Sequence, residues 1–488
     1  MIQKDGSILI TADEVAKGIA PSPHLGYTNI RNLDIWSTPG VVKIQKKLTA
    51  CSLDIDSVVG ANAFVVGMDR NPVNGDRYVG VNGRQVGAFA DDIIYKNPES
   101  GTTVFIGTGN FTSSLEDIKV FNDYLIIIGS TTVRKYGPIS GVASISDISG
   151  TLTAGSSPHK SFVAQNDKLY ITNGRYLASI DSSFTMNTTA LTLPINTNSK
   201  CIVESGKMLV TGVWKGANLY DNSIANLYPW DKNETSFDEP VQLNDYGINQ
   251  LINENKVIYG QVGIKNKFFT SILPDTKELP EFFMMDGLGS ESWINNYANA
   301  CALLNSEKLF GLSNGGGNPN PLGVYAYKNG AWILRNTIST GNIGDTSAIS
   351  IYAILPIGQE SFLVAWGDDS SKGIDQIDSS NIRYSGDKAF FDSPFVIAGT
   401  PLNKRNWQNL EILLNKALTA DQTIKLQYRT NLNDSFTTFK TYTSSSFESG
   451  AISHTDTSEL PDVETIQIRC IFNSTSSVST EFKQLRIF

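Results

Sequence analysis

Residues 119–129 read KVFNDYLIIIG: a short apolar strand, a polar pair at Asn122 and Asp123, and a second run that is apolar throughout. The same arrangement recurs as SFVAQNDKLYITNG from Ser161, CIVESGKMLVTGV from Cys201, LINENKVIYGQV from Leu251, CALLNSEKLFGLS from Cys301 and ILPIGQESFLVAWG from Ile354. A looser copy, VVGANAFVVGMD, starts at Val58. With Leu125, Leu169, Met208, Val257, Leu309 and Phe362 as equivalent points, the spacing is roughly 40 to 55 residues, the repeat length of four-stranded propeller blades. Runs that are apolar at every position belong to strands covered on both faces, and stacking such sheets radially removes most free edges.

Outside these repeats the chain keeps a period of two, as in GVYAYKNGAWILRN and TIKLQYRTN, which marks half-buried strands. Asn-Gly pairs at Asn82–Gly83, Asn173–Gly174 and Asn329–Gly330 point to tight hairpins, because a type I′ turn needs positive φ at both central residues. Helical periodicity is confined to Thr11–Gly18, where Thr11 can cap, Glu14 completes a capping box and Gly18 stops the turn. The expected fold is therefore all-β: a β-propeller of about seven blades, preceded by an extended N-terminal arm and followed by a C-terminal β-sandwich. The boundaries expected are 1–50 for the arm with its short helix and first strand, 51–380 for the propeller and 381–488 for the sandwich. The last begins where FFDSPFVIAGTP (residues 390–401) replaces the blade motif with longer alternating strands.

The composition narrows the function. The 488 residues are 40% hydrophobic and 18% charged, with a formal net charge of −9. Such a surface repels phosphate backbones, so dedicated nucleic-acid binding is not expected. No run approaches the roughly 18 apolar residues of a membrane helix, and the first residues lack the apolar core of a signal peptide, so neither membrane insertion nor export is expected. The four cysteines, Cys51, Cys201, Cys301 and Cys470, are far apart and suit neither a zinc knuckle nor a disulfide framework. They read as reduced, buried thiols in a chain that folds in a cytoplasm.

Catalytic, metal and cofactor sites are not expected. The histidines are His24, His159 and His454; each reads as a loop residue or turn hydrogen-bonder, with no HExxH and no nucleophile elbow to join. The acidic pairs Asp91–Asp92 and Asp368–Asp369, and the acids of residues 221–239, are the material a propeller glycosidase would use. Adjacent aspartates on a strand face opposite ways, however. Trp214 and Trp230 are the aromatics that a carbohydrate-binding alternative would place on a propeller face, against the plainer role of packing between blades.

GIAPSPHLGYTNIRNLDIWSTPGVVKIQKK, residues 18–47, is the stretch this chemistry does not explain. Pro21, Pro23 and Pro39 favour an extended path, Asn32 and Asp34 can cap local turns, Trp36 follows, and the strand VVKIQKK is expected to close the ring against the last blade. Taken with Gly18, Ala20, Ser22 and Gly40, it resembles the N-terminal segment of tailed-bacteriophage propeller proteins. SPFVIAGTPLNKRNWQNLEILLNKALTADQTIKLQYRTN, from Ser393, resembles the sandwich that follows the propeller in the same family. The resemblance implies a virion structural protein, a tail nozzle, hub or tip. It would be assembled in the host cytoplasm as a symmetric ring with copies of itself and other tail proteins, with a host-surface glycan as a further possible partner. It also implies that Gly18, Pro21, Pro23, Asn32, Asp34, Trp36, Pro39 and Gly40 form a stiff assembly arm.

Overall fold

In the computed structural model, six four-stranded antiparallel sheets stand among the described residues, and four strands of a ten-stranded sheet make a seventh blade. The residues described are 7–20, 27, 29–51, 64–82, 93–97, 104–107, 114–154, 158–215, 225–243, 245, 247–263, 267–278, 297–312, 323–339, 349–367, 372–377, 380, 382–397, 407–457, 460–461 and 463–488. Blades 1 to 6 occupy residues 64–107, 115–148, 161–192, 197–243, 248–278 and 301–337, and blade 7 occupies 350–377 together with 48–50. The innermost strands are Phe64–Arg70, Leu115–Phe121, Ser161–Val163, Thr197–Ser205, Ile248–Glu254, Cys301–Leu304 and Ser350–Pro356. Each lies beside the next, and the seventh lies beside the first. The fold is a β-propeller joined to a β-sandwich.

The polar pairs that announce the repeat are its turns. Asn122–Asp123, Asn255–Lys256 and Asn305–Ser306 all have positive φ, between 47° and 69°, as a type I′ hairpin demands, and asparagine carries that conformation at lower cost than most residues. Asn329–Gly330 forms the same turn between paired Lys328 and Ala331. At Asn173–Gly174 the asparagine instead ends the strand, pairing with Tyr176, and only Gly174 of the two has positive φ. Gly83 lies outside the described residues. The copy placed at Val58 is displaced: residues 58–63 are not described, and Phe64–Arg70 is the inner strand of blade 1 rather than its second strand.

Ring closure falls to the N-terminal region. Leu48–Ala50 pairs antiparallel with Lys372–Ile377 and supplies the outermost strand of blade 7. The rest of residues 8–44 departs from the free arm expected. Ile8–Thr11 and Val42–Ile44 both pair with Glu481–Ile487 of the sandwich, and Leu33–Asp34 pairs with Val42–Ile44. Asn29–Arg31 inserts between blade 6 and the sandwich, parallel to Ala331–Thr337 on one side and antiparallel to Ala389–Asp392 on the other. One ten-stranded sheet consequently runs from the channel-lining strand of blade 6 to Thr437–Tyr442 at the far edge of the sandwich. A single apolar core follows it, from Phe310, Leu334 and Phe362 to Ile412, Phe472 and Leu485.

The physical reasons are local. Thr11 caps the short helix Ala12–Val15, its Oγ1 accepting from the Glu14 N–H at 3.3 Å. Gly18 then turns the chain with φ +83° where a Cβ would stand 2.6 Å from the Trp332 nitrogen, a place only glycine fits. Asp34 closes an Asx turn over the N–H groups of Trp36 and Ser37 at 3.1 and 2.9 Å. Trp36 packs against the core and Pro39 is exposed; Gly40 has φ +70°. Pro21 and Pro23 lie outside the described residues.

Candidate functional site

The channel is built by a defect repeated around the ring. The inner strands of blades 1, 2, 4, 5 and 7 each slip register by one residue at the same level, at Val66, Glu116, Lys200, Asn249 and Tyr352. A bulge leaves its extra residue out of the ladder and re-aims the side chains beside it. Here the bulges set a waist that includes Gly67, Asp117, Cys201 and Gln250.

Residues 297–300 close that waist. The Asn299 Nδ2 donates to the Val66 carbonyl of blade 1 at 2.7 Å and to Asp117 Oδ1 of blade 2 at 3.1 Å. Its Oδ1 accepts from Lys160 Nζ at the entry to blade 3, and its carbonyl accepts from Ile354 N of blade 7 at 3.0 Å. Gln250 Nε2 of blade 5 donates to the carbonyls of Tyr297 and Ala300 at 2.9 and 3.2 Å. One asparagine reaches four blades, its side chain touching blades 1 and 2 and Lys160 beside blade 3 and its carbonyl touching blade 7. Gly67 makes room for this knot: a Cβ there would meet Asp117 Oδ1 at 2.4 Å. Asp117 Oδ2 also accepts from the Ser161 N–H and hydroxyl at 2.8 and 2.6 Å.

On the side of the hairpin turns the channel widens into a cavity of about 460 Å³, with Lys160 and the thiols of Cys201 and Cys301 near its floor and Phe162, Ile252 and Leu303 on its walls. Burial pushes the Cys201 thiol up and the Cys301 thiol up to about 11, so both are protonated and poor nucleophiles at neutral pH. Glu204 accepts from the Gln165 N–H at 2.9 Å and pairs with Lys232. Among the described residues no three potential ligands gather as a metal site.

Lys200 is the most perturbed cation at this level. It is 5% exposed, its Nζ donates to Asn249 Oδ1 at 3.2 Å, and it lies 5.1 Å from the Trp214 ring centre. Burial pulls it from 10.5 down to about 8. Between those values the unfolded chain binds more protons than the folded one, so the stability of the wild type should rise with pH across that window. The depression corresponds to about 3 kcal/mol, and the Asn249 bond returns about 1 kcal/mol. Lys200→Met is therefore expected to be more stable at pH 7 by about 2 kcal/mol and to lack the alkaline rise. Urea denaturation of both proteins at pH 7 and pH 10 checks this; a less stable variant at pH 7 would contradict it.

Trp214 and Trp230, the residues named for the carbohydrate-binding alternative, do not stand on an open face. Trp214 and Trp230 are each 3% exposed. Trp230 donates from Nε1 to the Glu234 carbonyl at 2.6 Å and packs edge-on against Tyr170 of blade 3 at 5.6 Å. Trp332 likewise fills the wedge between Phe268 of blade 5 and Phe310. The strands that carry Trp214 and Trp230 are covered on both faces, so a tryptophan there is packing.

His159 is buried rather than solvated: Nδ1 lies 2.5 Å from the Thr172 carbonyl and Nε2 lies 3.2 Å from the Ser130 carbonyl, joining blades 2 and 3. His454 lies on the strand Ser453–Thr457 of the sandwich rather than in a loop, edge-on to Tyr442 at 5.7 Å and tilted against Phe447 at 5.4 Å. His24, Asp91–Asp92 and Asp368–Asp369 lie outside the described residues. Of the acids in residues 221–239, Asp231 accepts from the Asn233 and Glu234 N–H groups at 2.9 and 3.3 Å. Sequence reasoning missed the closed waist and Lys200; the displaced register that creates both leaves no period for a pattern search to find.

No protein-family profile and no curated protein matches the sequence. Among solved structures the chain is similar to the extracellular domain assigned to a hybrid two-component system of B. thetaiotaomicron, at 14% identity and a TM-score of 0.47 over 71% of this chain and 44% of that one. It thus spans under half of that protein's length. It is also similar to a catalytically inactive virginiamycin B lyase from Staphylococcus aureus with quinupristin (10% identity, TM-score 0.46, 68% of this chain, 99% of that one) and to the WD40 repeats of RRP9 (11%, 0.43, 68% and 99%).

Proposed function

We propose that the chain is a structural component of a bacteriophage virion, a tail protein that assembles into a symmetric ring with copies of itself and with other tail proteins. One observation supports the reading above the others. The two stretches that resemble the phage family, starting at Gly18 and Ser393, are separated in sequence by the whole propeller, yet their strands share the same sandwich sheets. Two loosely similar segments at opposite ends of a chain gain weight when they co-fold as one domain. The channel agrees with this role. Its waist is closed by the chain's own Asn299 and its thiols are held protonated, an arrangement suited to keeping shape.

The test is quantitative mass spectrometry and electron microscopy of purified particles from a phage that encodes the chain. The expected result is a fixed copy number per particle and density in the tail. Particles that lack the protein would overturn the proposal.

A further inference from the structure

Three Lys or Arg side chains are buried among the described residues, and two of them hold carboxylates: Lys308 pairs with Glu254, and Arg335 with Glu307 at 2.6 Å. Lys200 is the third, and no carboxylate of the described residues acts on it. It sits at the bulge of the inner strand of blade 4, on the seam with blade 5, where Asn249 Oδ1 is the acceptor for its ammonium. That amide is fixed in place, because its Nδ2 donates to the Gly263 carbonyl at 2.9 Å. An ammonium has three N–H donors, so a single neutral acceptor leaves most of its hydrogen bonding, and all of its charge, unmatched.

A second unmatched donor stands beside it. The Trp214 ring centre is 5.1 Å from Lys200 Nζ. Trp214 is 3% exposed, and its buried Nε1–H has no acceptor. The ring is pressed into the same seam: at Gly247, which leads into blade 5, a Cβ would stand 2.7 Å from that of Trp214. A buried donor without an acceptor and a buried charge without a counter-charge are each costly. Here the two are neighbours, and one acceptor that carries negative charge would answer both.

We propose that Lys200 and Trp214 form a binding site for a small monovalent anion of the chloride class, at the seam of blades 4 and 5. Water would accept from both groups but would leave the charge uncompensated. A carboxylate or phosphate carries a body that side chains 5% and 3% exposed admit far less readily than a single-atom ion. The bound anion ties blade 4 to blade 5 from within. The site stands on this geometry alone and does not depend on the virion reading.

The melting temperature of the full-length protein is followed at pH 7 and constant ionic strength while chloride replaces gluconate. The wild type is expected to gain about 1 °C for each tenfold of chloride above the dissociation constant. Lys200→Met should lose that response, and Trp214→Phe, which keeps a ring but not the donor, should need about tenfold more chloride. The advantage predicted above for Lys200→Met belongs to chloride-free buffer and should narrow as chloride is added. Because both substitutions fall in the core, a wild-type crystal soaked in bromide gives a reading free of variants: an anomalous peak within hydrogen-bond distance of Lys200 Nζ and Trp214 Nε1. A wild type indifferent to the exchange, a response that survives in Lys200→Met, or a seam without bromide would overturn the proposal and leave both donors to water.

Discussion

A chain lacking residues 1–40 is expected to lose its sandwich while keeping the sheets of blades 2 to 5. The deletion removes Ile8, Ile10, Val15, Ile30 and Leu33, each 0% exposed. At about 1.5–3 kcal/mol for each buried side chain, the loss is on the order of 10 kcal/mol, comparable with the whole stability of an ordinary domain. It also strips Glu481–Ile487 of its partner Ile8–Thr11 and opens a sheet edge, so aggregation should accompany the loss. Hydrogen exchange is the discriminating measurement: amides of Asn409–Leu414 and Glu481–Ile487 should become fast, and those of Met208–Lys215 should stay slow. A truncated protein with a protected sandwich would restore the free-arm reading of residues 18–40.

Asn32→Ala should be the most damaging single substitution in the same region. Asn32 is 0% exposed and sits at φ 53°. Its Nδ2 donates to Thr337 Oγ1 at 3.1 Å and to the Lys388 carbonyl at 2.8 Å, and its Oδ1 accepts from the Thr337 N–H at 2.8 Å. Its own backbone donates to the Leu334 carbonyl and accepts from Gln45, both at 2.8 Å. Alanine leaves the Thr337 N–H and the Lys388 carbonyl without partners, at about 1–3 kcal/mol each, and adds about 1 kcal/mol of left-handed strain. The expected loss is about 4 kcal/mol, read as a shift in the urea midpoint. Asn32→Gly should recover the strain component alone, about 1 kcal/mol. An alanine variant as stable as the wild type would show that blade 6 and the sandwich do not depend on this residue.

The contrast between these two predictions and the expected arm shows which information the sequence carries locally. Blades are legible because each is a run of neighbours: Tyr124–Gly129 pairs with strands within a few residues on either side, and its turn at Asn122–Asp123 announces itself by composition. The partners of Asn32 are Thr337 and Lys388, and those of Ile8–Thr11 are residues 484–487. Strands of two to four residues are too short to display a period, and prolines exclude helix without choosing a sheet. The stretch was therefore readable as extended but not as buried. Ring closure was expected of VVKIQKK but falls to Leu48–Ala50 just beyond it, because Val42–Ile44 is taken by Glu481–Ile487 of the sandwich. The waist was not legible: Asn299 stands 182 residues from Asp117 and 139 from Lys160, and nothing in the order of residues brings them together.

The pairing of residues 8–50 with residues 372–487 also has a consequence in time. On the ribosome, Ile8–Thr11 is made before the whole propeller and its partner strand Glu481–Ile487 after it, so the sandwich cannot be completed until the propeller has been made, and blade 7 must wait for Lys372–Ile377. At about 5–20 residues per second, that wait is on the order of a minute. Blades 2 to 5, built from local hairpins, have no such delay. The nascent chain thus carries an unpaired, apolar leading segment beside a growing stack of finished sheets, and that segment is where a cellular chaperone would find its grip.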